Sequence, residues 1–87
     1  MSPRDDASAS EEIAALDREM KELTRQKKNC EEKIRQLRND EDPRSGRYFA
    51  REIFQEQQHK LSLEVEIEFR RKRKNRILLE QGEKGWL

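Results

Sequence analysis

Little in these 87 residues can support catalysis or close a globular core. Cys30 is the only cysteine and cannot form an internal disulfide, which fits a reducing, intracellular setting in nucleus or cytoplasm. With His59, the only histidine, it offers too few soft ligands for a zinc centre, so no metal or cofactor is expected. Gly46, Gly82 and Gly85 are too scattered for a phosphate-cradling loop. No run of 18 apolar residues exists, so no membrane span is expected, and the start MSPRDDASAS lacks the apolar segment of a secretory signal. A nucleophile paired with His59 would need a walled pocket, and apolar residues at 31% of the chain cannot build one. The expectation is a protein that is not an enzyme and takes no small-molecule substrate.

Charge is what the chain has in quantity. Charged residues make up 45% of it and the mean hydropathy is −1.34. Yet 20 basic and 19 acidic side chains nearly cancel, unlike the large net charge that keeps chains unfolded. Ala, Glu, Lys, Leu and Arg fill 47 of the 87 positions, the composition of coiled coils and long helices.

Residues 1–9 read as a disordered lead, with Ser8 or Ser10 capping a first helix over 10–41. Its seam runs Ile13, Leu16, Met20, Leu23, Lys27, Cys30, Ile34, Leu37, spaced alternately by three and four residues. That is the a/d stripe of four heptads, narrower than the apolar face of an ordinary surface helix. Lys27 interrupts it as a register-setting residue that buries its stem and keeps its ammonium in water, and Cys30 reads as a small apolar filler. A turn at 42–46 follows: Pro43 disfavours helix at Asp42, and Gly46 adds a second break. Asp42 or Ser45 is the candidate cap for the restart.

A second helix is expected over 47–81, since Arg47–Gln81 holds neither Gly nor Pro. Leu61–Phe69 alternates apolar and polar as a half-buried strand would, but no second strand pattern exists to pair with it. Read as helix, the apolar residues form two opposed stripes. Phe54, Leu61, Val65, Phe69 and Leu79 lie on one side, and Phe49, Ile53, Leu63, Ile67 and Leu78 on the other. A helix apolar on two faces has two neighbours.

Folding the chain about Pro43 sets Leu37 level with Phe49, Ile34 with Ile53, Lys27 with Leu61, Leu23 with Val65 and Met20 with Phe69. It also brings Arg70–Arg76 beside Glu11 and Glu12, and Glu64–Glu68 near Arg25, Lys27 and Lys28. Residues 11–24 carry net −3 and residues 25–38 net +4, which disfavours parallel pairing of the first helix with its own copy. The expected architecture is all-α, a two-helix antiparallel coiled-coil hairpin assembling into a helical-bundle oligomer. A single hairpin buries too little apolar surface to stand alone. A homo-oligomer, most simply a dimer of hairpins, or a complex with another helical protein would use both stripes of the second helix. His59 lies in a glutamine-rich, polar stretch and reads as solvated.

Arg70, Arg71, Lys72, Arg73, Lys74 and Arg76 form the densest charge cluster. Three readings fit: a solvated face paired with the acidic first helix, a nuclear-import signal, or phosphate contacts on duplex nucleic acid. Lysines and arginines followed by Asn75-Arg76 resemble the start of the basic region of leucine-zipper transcription factors over about seven residues. Ile77, Leu78 and Leu79 then stand where that family has small residues facing DNA, and no zipper lies downstream, so its function is not carried over. In the tail, 82–87, Trp86 is a candidate anchor for a partner. The function expected is a non-catalytic oligomerisation or adaptor module within a larger assembly; the alternative is a small helical dimer that binds duplex nucleic acid through residues 70–76.

Overall fold

A computed structural model describes the backbone of residues 6–86 and the side chains of residues 8–82. Two helices in extensive contact make a hairpin, α1 (Asp6–Asp40) and α2 (Ala50–Trp86). The molecule is a rod 69 Å long and 17 by 15 Å across. Residues 61–69 are helical throughout, so helix propensity and the lack of a partner strand override their alternation.

Both helices run beyond the lengths expected of them. α1 starts at Asp6 rather than residue 10, placing Ser8 and Ser10 within the helix rather than at its cap. Ala7 and Ala9 are strong helix formers, and Ala9, only 1% exposed, packs with Leu16 and Ile77. α2 begins at Ala50 rather than 47 and continues through Gly82 to Trp86, so residues 82–86 extend the helix instead of forming a separate tail. Gly82 and Gly85 each cost a helix only about 1 kcal/mol relative to Ala, which neighbouring turns can absorb.

The connection is longer than the expected 42–46 because it holds a turn of its own. Asp42 and Arg47 pair as an isolated antiparallel bridge: the Asp42 N–H donates to the Arg47 carbonyl at 2.8 Å, and the Arg47 N–H donates back at 2.9 Å. Between them, the Asp42 carboxylate accepts from the Arg44 N–H at 3.1 Å with Pro43 in the first position of the turn. The Gly46 N–H donates to the Pro43 carbonyl at 3.3 Å, and Gly46 has φ +74°. These bonds form a single helical turn with a Schellman-type stop, for which Gly46 supplies the left-handed residue. Asp42 therefore caps this short turn, and neither it nor Ser45 caps α2. Glu41, at the end of the α1 seam, accepts the Phe49 N–H at 3.0 Å and so ties the start of α2 to the end of α1.

All eight seam residues of α1, from Ile13 to Leu37, are buried or half-buried, and Ala9 extends the seam by one position. The stripe facing α1 contains Ile53, Leu63 and Ile67 on α2 and Phe49 just before it. Leu61, Val65 and Phe69 are level with α1 but turned away from it, 53%, 68% and 68% exposed. Leu78 is also exposed, and its neighbour Ile77, at 2%, takes the buried place. The cause is the coiled-coil period, which carries the seam from Leu63 through Ile67, Arg70 and Lys74 to Ile77.

Candidate functional site

The face that meets α1 starts at Phe49, just before α2, and continues along α2 with Ile53, Glu56, Lys60, Leu63, Ile67, Arg70, Lys74, Ile77 and Gln81, spaced by four and three residues without a break. All are buried or half-buried, although Glu56, Lys60, Arg70 and Lys74 are charged. Each of these four charges meets its opposite on α1. Lys33 Nζ lies 3.0 Å from Glu56, Lys60 Nζ 3.9 Å from Glu31, Arg70 Nε 3.3 Å from Glu19, and Lys74 Nζ 2.8 Å from Asp17. Lys27 pairs with Glu64 at 3.4 Å and Arg73 with Glu12 at 2.6 Å. A partly exposed pair is worth only about 0.2–1 kcal/mol. A one-turn slip would break the whole ladder, so its main effect is to specify register.

The ladder accounts for much of the basic run. Arg70, Arg73 and Lys74 reach across to α1, and Arg71 pairs with Glu68 on its own helix at 2.7 Å. Lys72 and Arg76 point away from α1, on the outer face of α2 by helical position. Trp86 has its side chain outside the described residues.

That outer face carries the second stripe. In the heptad frame of the α1–α2 seam, Phe54 and Leu61 occupy b positions, Val65 and Leu79 f, and Phe69 c. A two-helix coiled coil gives these positions to solvent and fills them with polar residues. Here Phe54 and Leu79 are 59% and 68% exposed, like the three residues between them, and the stripe lies about 180° around α2 from α1. At its edge, Phe69 borders a groove between the helices lined by Leu16, Glu19, Glu66, Arg70 and Arg73. No helix among the described residues is long and apolar enough to cross a membrane.

In the half of the hairpin nearer the turn, side chains far apart in sequence come together. Cys30 of α1, 4% exposed, has its Sγ 3.4 Å from His59 Nδ1 of α2. A Glu56 carboxylate oxygen joins them, and the three ligand-type atoms lie within 4.8 Å of one another. Burial pushes the Cys30 thiol upward, and its hydrogen bond to Glu56 acts in the same direction. The Lys33 ammonium holds Glu56 below the usual carboxylate range. Cys30 is buried in the seam as a small filler, and His59, exposed as its polar stretch implies, still brings Nδ1 against it: the hairpin register brings together two residues 29 apart in the chain. Glu56-x-x-His59 puts two ligand types on one helix face in the sequence, but only the α1–α2 register supplies the third.

Comparison with protein-family models, curated proteins and solved structures finds no match.

Proposed function

We propose that this chain is a non-catalytic assembly module: a helical hairpin that pairs with a second copy of itself through the outer stripe of α2. The exposed run Phe54, Leu61, Val65, Phe69 and Leu79, directly opposite the α1 contact, carries this reading. Large apolar residues repeated along one solvent-facing stripe mark a surface to be covered. Covering it would place α2 at the centre of a four-helix bundle, with α1 on the periphery.

Charge favours the antiparallel arrangement. Glu64, Glu66 and Glu68 are followed directly by the basic run, so a parallel pair would oppose like charges and an antiparallel pair unlike ones. Centred near Arg70, the antiparallel pair sets Leu61 opposite Leu79 of the second copy and Glu68 opposite its Lys72. Nucleic-acid binding through residues 70–76 is the less favoured reading, because four of the six cations are already held in ion pairs within the chain.

Sedimentation of the Val65→Glu, Phe69→Glu double variant tests the proposal. Both residues are 68% exposed in the hairpin. Burying what remains exposed is worth roughly 3 kcal/mol per chain, or roughly 6 kcal/mol per symmetric dimer, which corresponds to about 10⁴-fold in Kd. The variant should sediment as a helical monomer at concentrations where the parent is a dimer. A parent that sediments as a folded monomer at micromolar concentration, or a variant that dimerises equally well, refutes it.

A further inference from the structure

We propose that Cys30, Glu56 and His59 form a binding site for a borderline-soft divalent cation of the zinc class, clipping α1 to α2 in the half of the hairpin nearer the turn. The geometry suits such an ion. Zinc bonds of about 2.3 Å to sulfur and 2.0–2.1 Å to nitrogen, at tetrahedral angles, separate the two ligand atoms by about 3.5 Å. Cys30 Sγ and His59 Nδ1 are 3.4 Å apart, and Glu56 lies within the same 4.8 Å span.

The ligand chemistry narrows the choice of ion. A thiolate and an imidazole select zinc-like ions over magnesium or calcium, which prefer all-oxygen sites. Binding requires the Cys30 thiolate, so its proton leaves to solvent as the metal–sulfur bond forms. His59 enters neutral through Nδ1, and Glu56 enters as carboxylate, giving up its contact with the Lys33 ammonium, 3.0 Å away. Thiolate and carboxylate together neutralise the dication. Three protein ligands leave a coordination position for water, as in open zinc sites.

The ligands' placement makes binding a hairpin-locking event. Cys30 comes from α1, whereas Glu56 and His59 lie one turn apart on α2. An unfolded chain does not hold the three atoms together, so an ion that binds them stabilises the folded hairpin. Lys33 acts as a competing cation, and its removal should strengthen the site.

The test is titration of the reduced full chain with cobalt(II) chloride under anaerobic conditions, followed by displacement with zinc chloride. A thiolate-to-cobalt charge-transfer band should grow to saturation at one ion per chain, and the zinc-bound protein should melt at a higher temperature than the metal-free protein. His59→Gln changes an exposed side chain outside the apolar seam, so the helices persist while cobalt affinity should fall by about 100-fold or more. Lys33→Gln should tighten binding. Absence of the band, saturation at half an ion per chain, or a His59→Gln variant with parent-like affinity overturns the proposal.

Discussion

Lys27→Leu probes how a charged residue can occupy a coiled-coil seam. Lys27 sits in the middle of the α1 stripe, its side chain 32% exposed and its ammonium 3.4 Å from a Glu64 carboxylate that is itself 39% exposed. Leucine would place apolar surface where about two-thirds of the lysine is already covered. With ~1.5–3 kcal/mol for burying a whole leucine side chain, the gain is about 1–2 kcal/mol. Loss of the ion pair removes about 0.2–1 kcal/mol, and Glu64 keeps enough exposure to remain solvated. The net is a stabilisation of about 1 kcal/mol, which raises the Tm of a domain this size by roughly 4–8 °C. The same change removes a penalty on shifted alignments, since a slipped register buries the lysine charge and not the leucine. Thermal melting by circular dichroism, with sedimentation velocity on the same samples, should show a higher Tm and a broader spread of oligomers. A lower Tm, or one sharper species, would refute the reasoning and give Lys27 a specific buried role.

Leu63→Glu with Ile67→Glu places two charges in the α1–α2 seam and should abolish the hairpin's helical signal, whereas Val65→Glu with Phe69→Glu on the outer stripe should leave it intact. Ile77→Ala opens the cluster of Ala9, Leu16 and Ile77, so amide exchange near both ends of the chain should accelerate while the central turns around Cys30 stay protected; the loss should be about 2 kcal/mol or more. Glu56 has its acidity raised by Lys33, so the stability it contributes is full above the ordinary carboxylate value of 4.5 and is lost as pH falls below it. Glu56→Gln should therefore flatten the decline of Tm between about pH 5 and pH 3.

The α1 seam is legible in the sequence because apolar residues at alternating three- and four-residue spacing satisfy one period and no other. The all-helical hairpin follows from it and from the unbroken run after Arg47. The choice between the two stripes of α2 is not legible in the same way. Leu61, Val65 and Phe69 are as apolar as Leu63, Ile67 and Ile77, and the α1-facing stripe is disguised by Glu56, Lys60, Arg70 and Lys74. Those residues belong to the seam only because Lys33, Glu31, Glu19 and Asp17 stand opposite, so the signal lies in pairs of residues and not in either helix alone. The meeting of Cys30 with His59 is hidden for the same reason: it depends on a register that a shift of a few residues would destroy. The helix ends are hard to place from the sequence because local rules for caps and glycine carry about 1 kcal/mol each, and packing such as that of Ala9 on Ile77 outweighs them.

The central claim, that α2 pairs antiparallel with a second copy through its outer face, is tested most directly by distances between spin labels on the two copies. With Cys30 replaced by serine, single cysteines at Gln55 and at Asn75 place labels at the edges of that face. For a pair centred near Arg70, the axial rise of 1.5 Å per residue predicts about 45 Å between the copies at position 55 and about 15 Å at position 75. Short, equal distances at both positions would mean a parallel pair, and no dipolar coupling at either would mean that the hairpin stands alone; both results contradict the account.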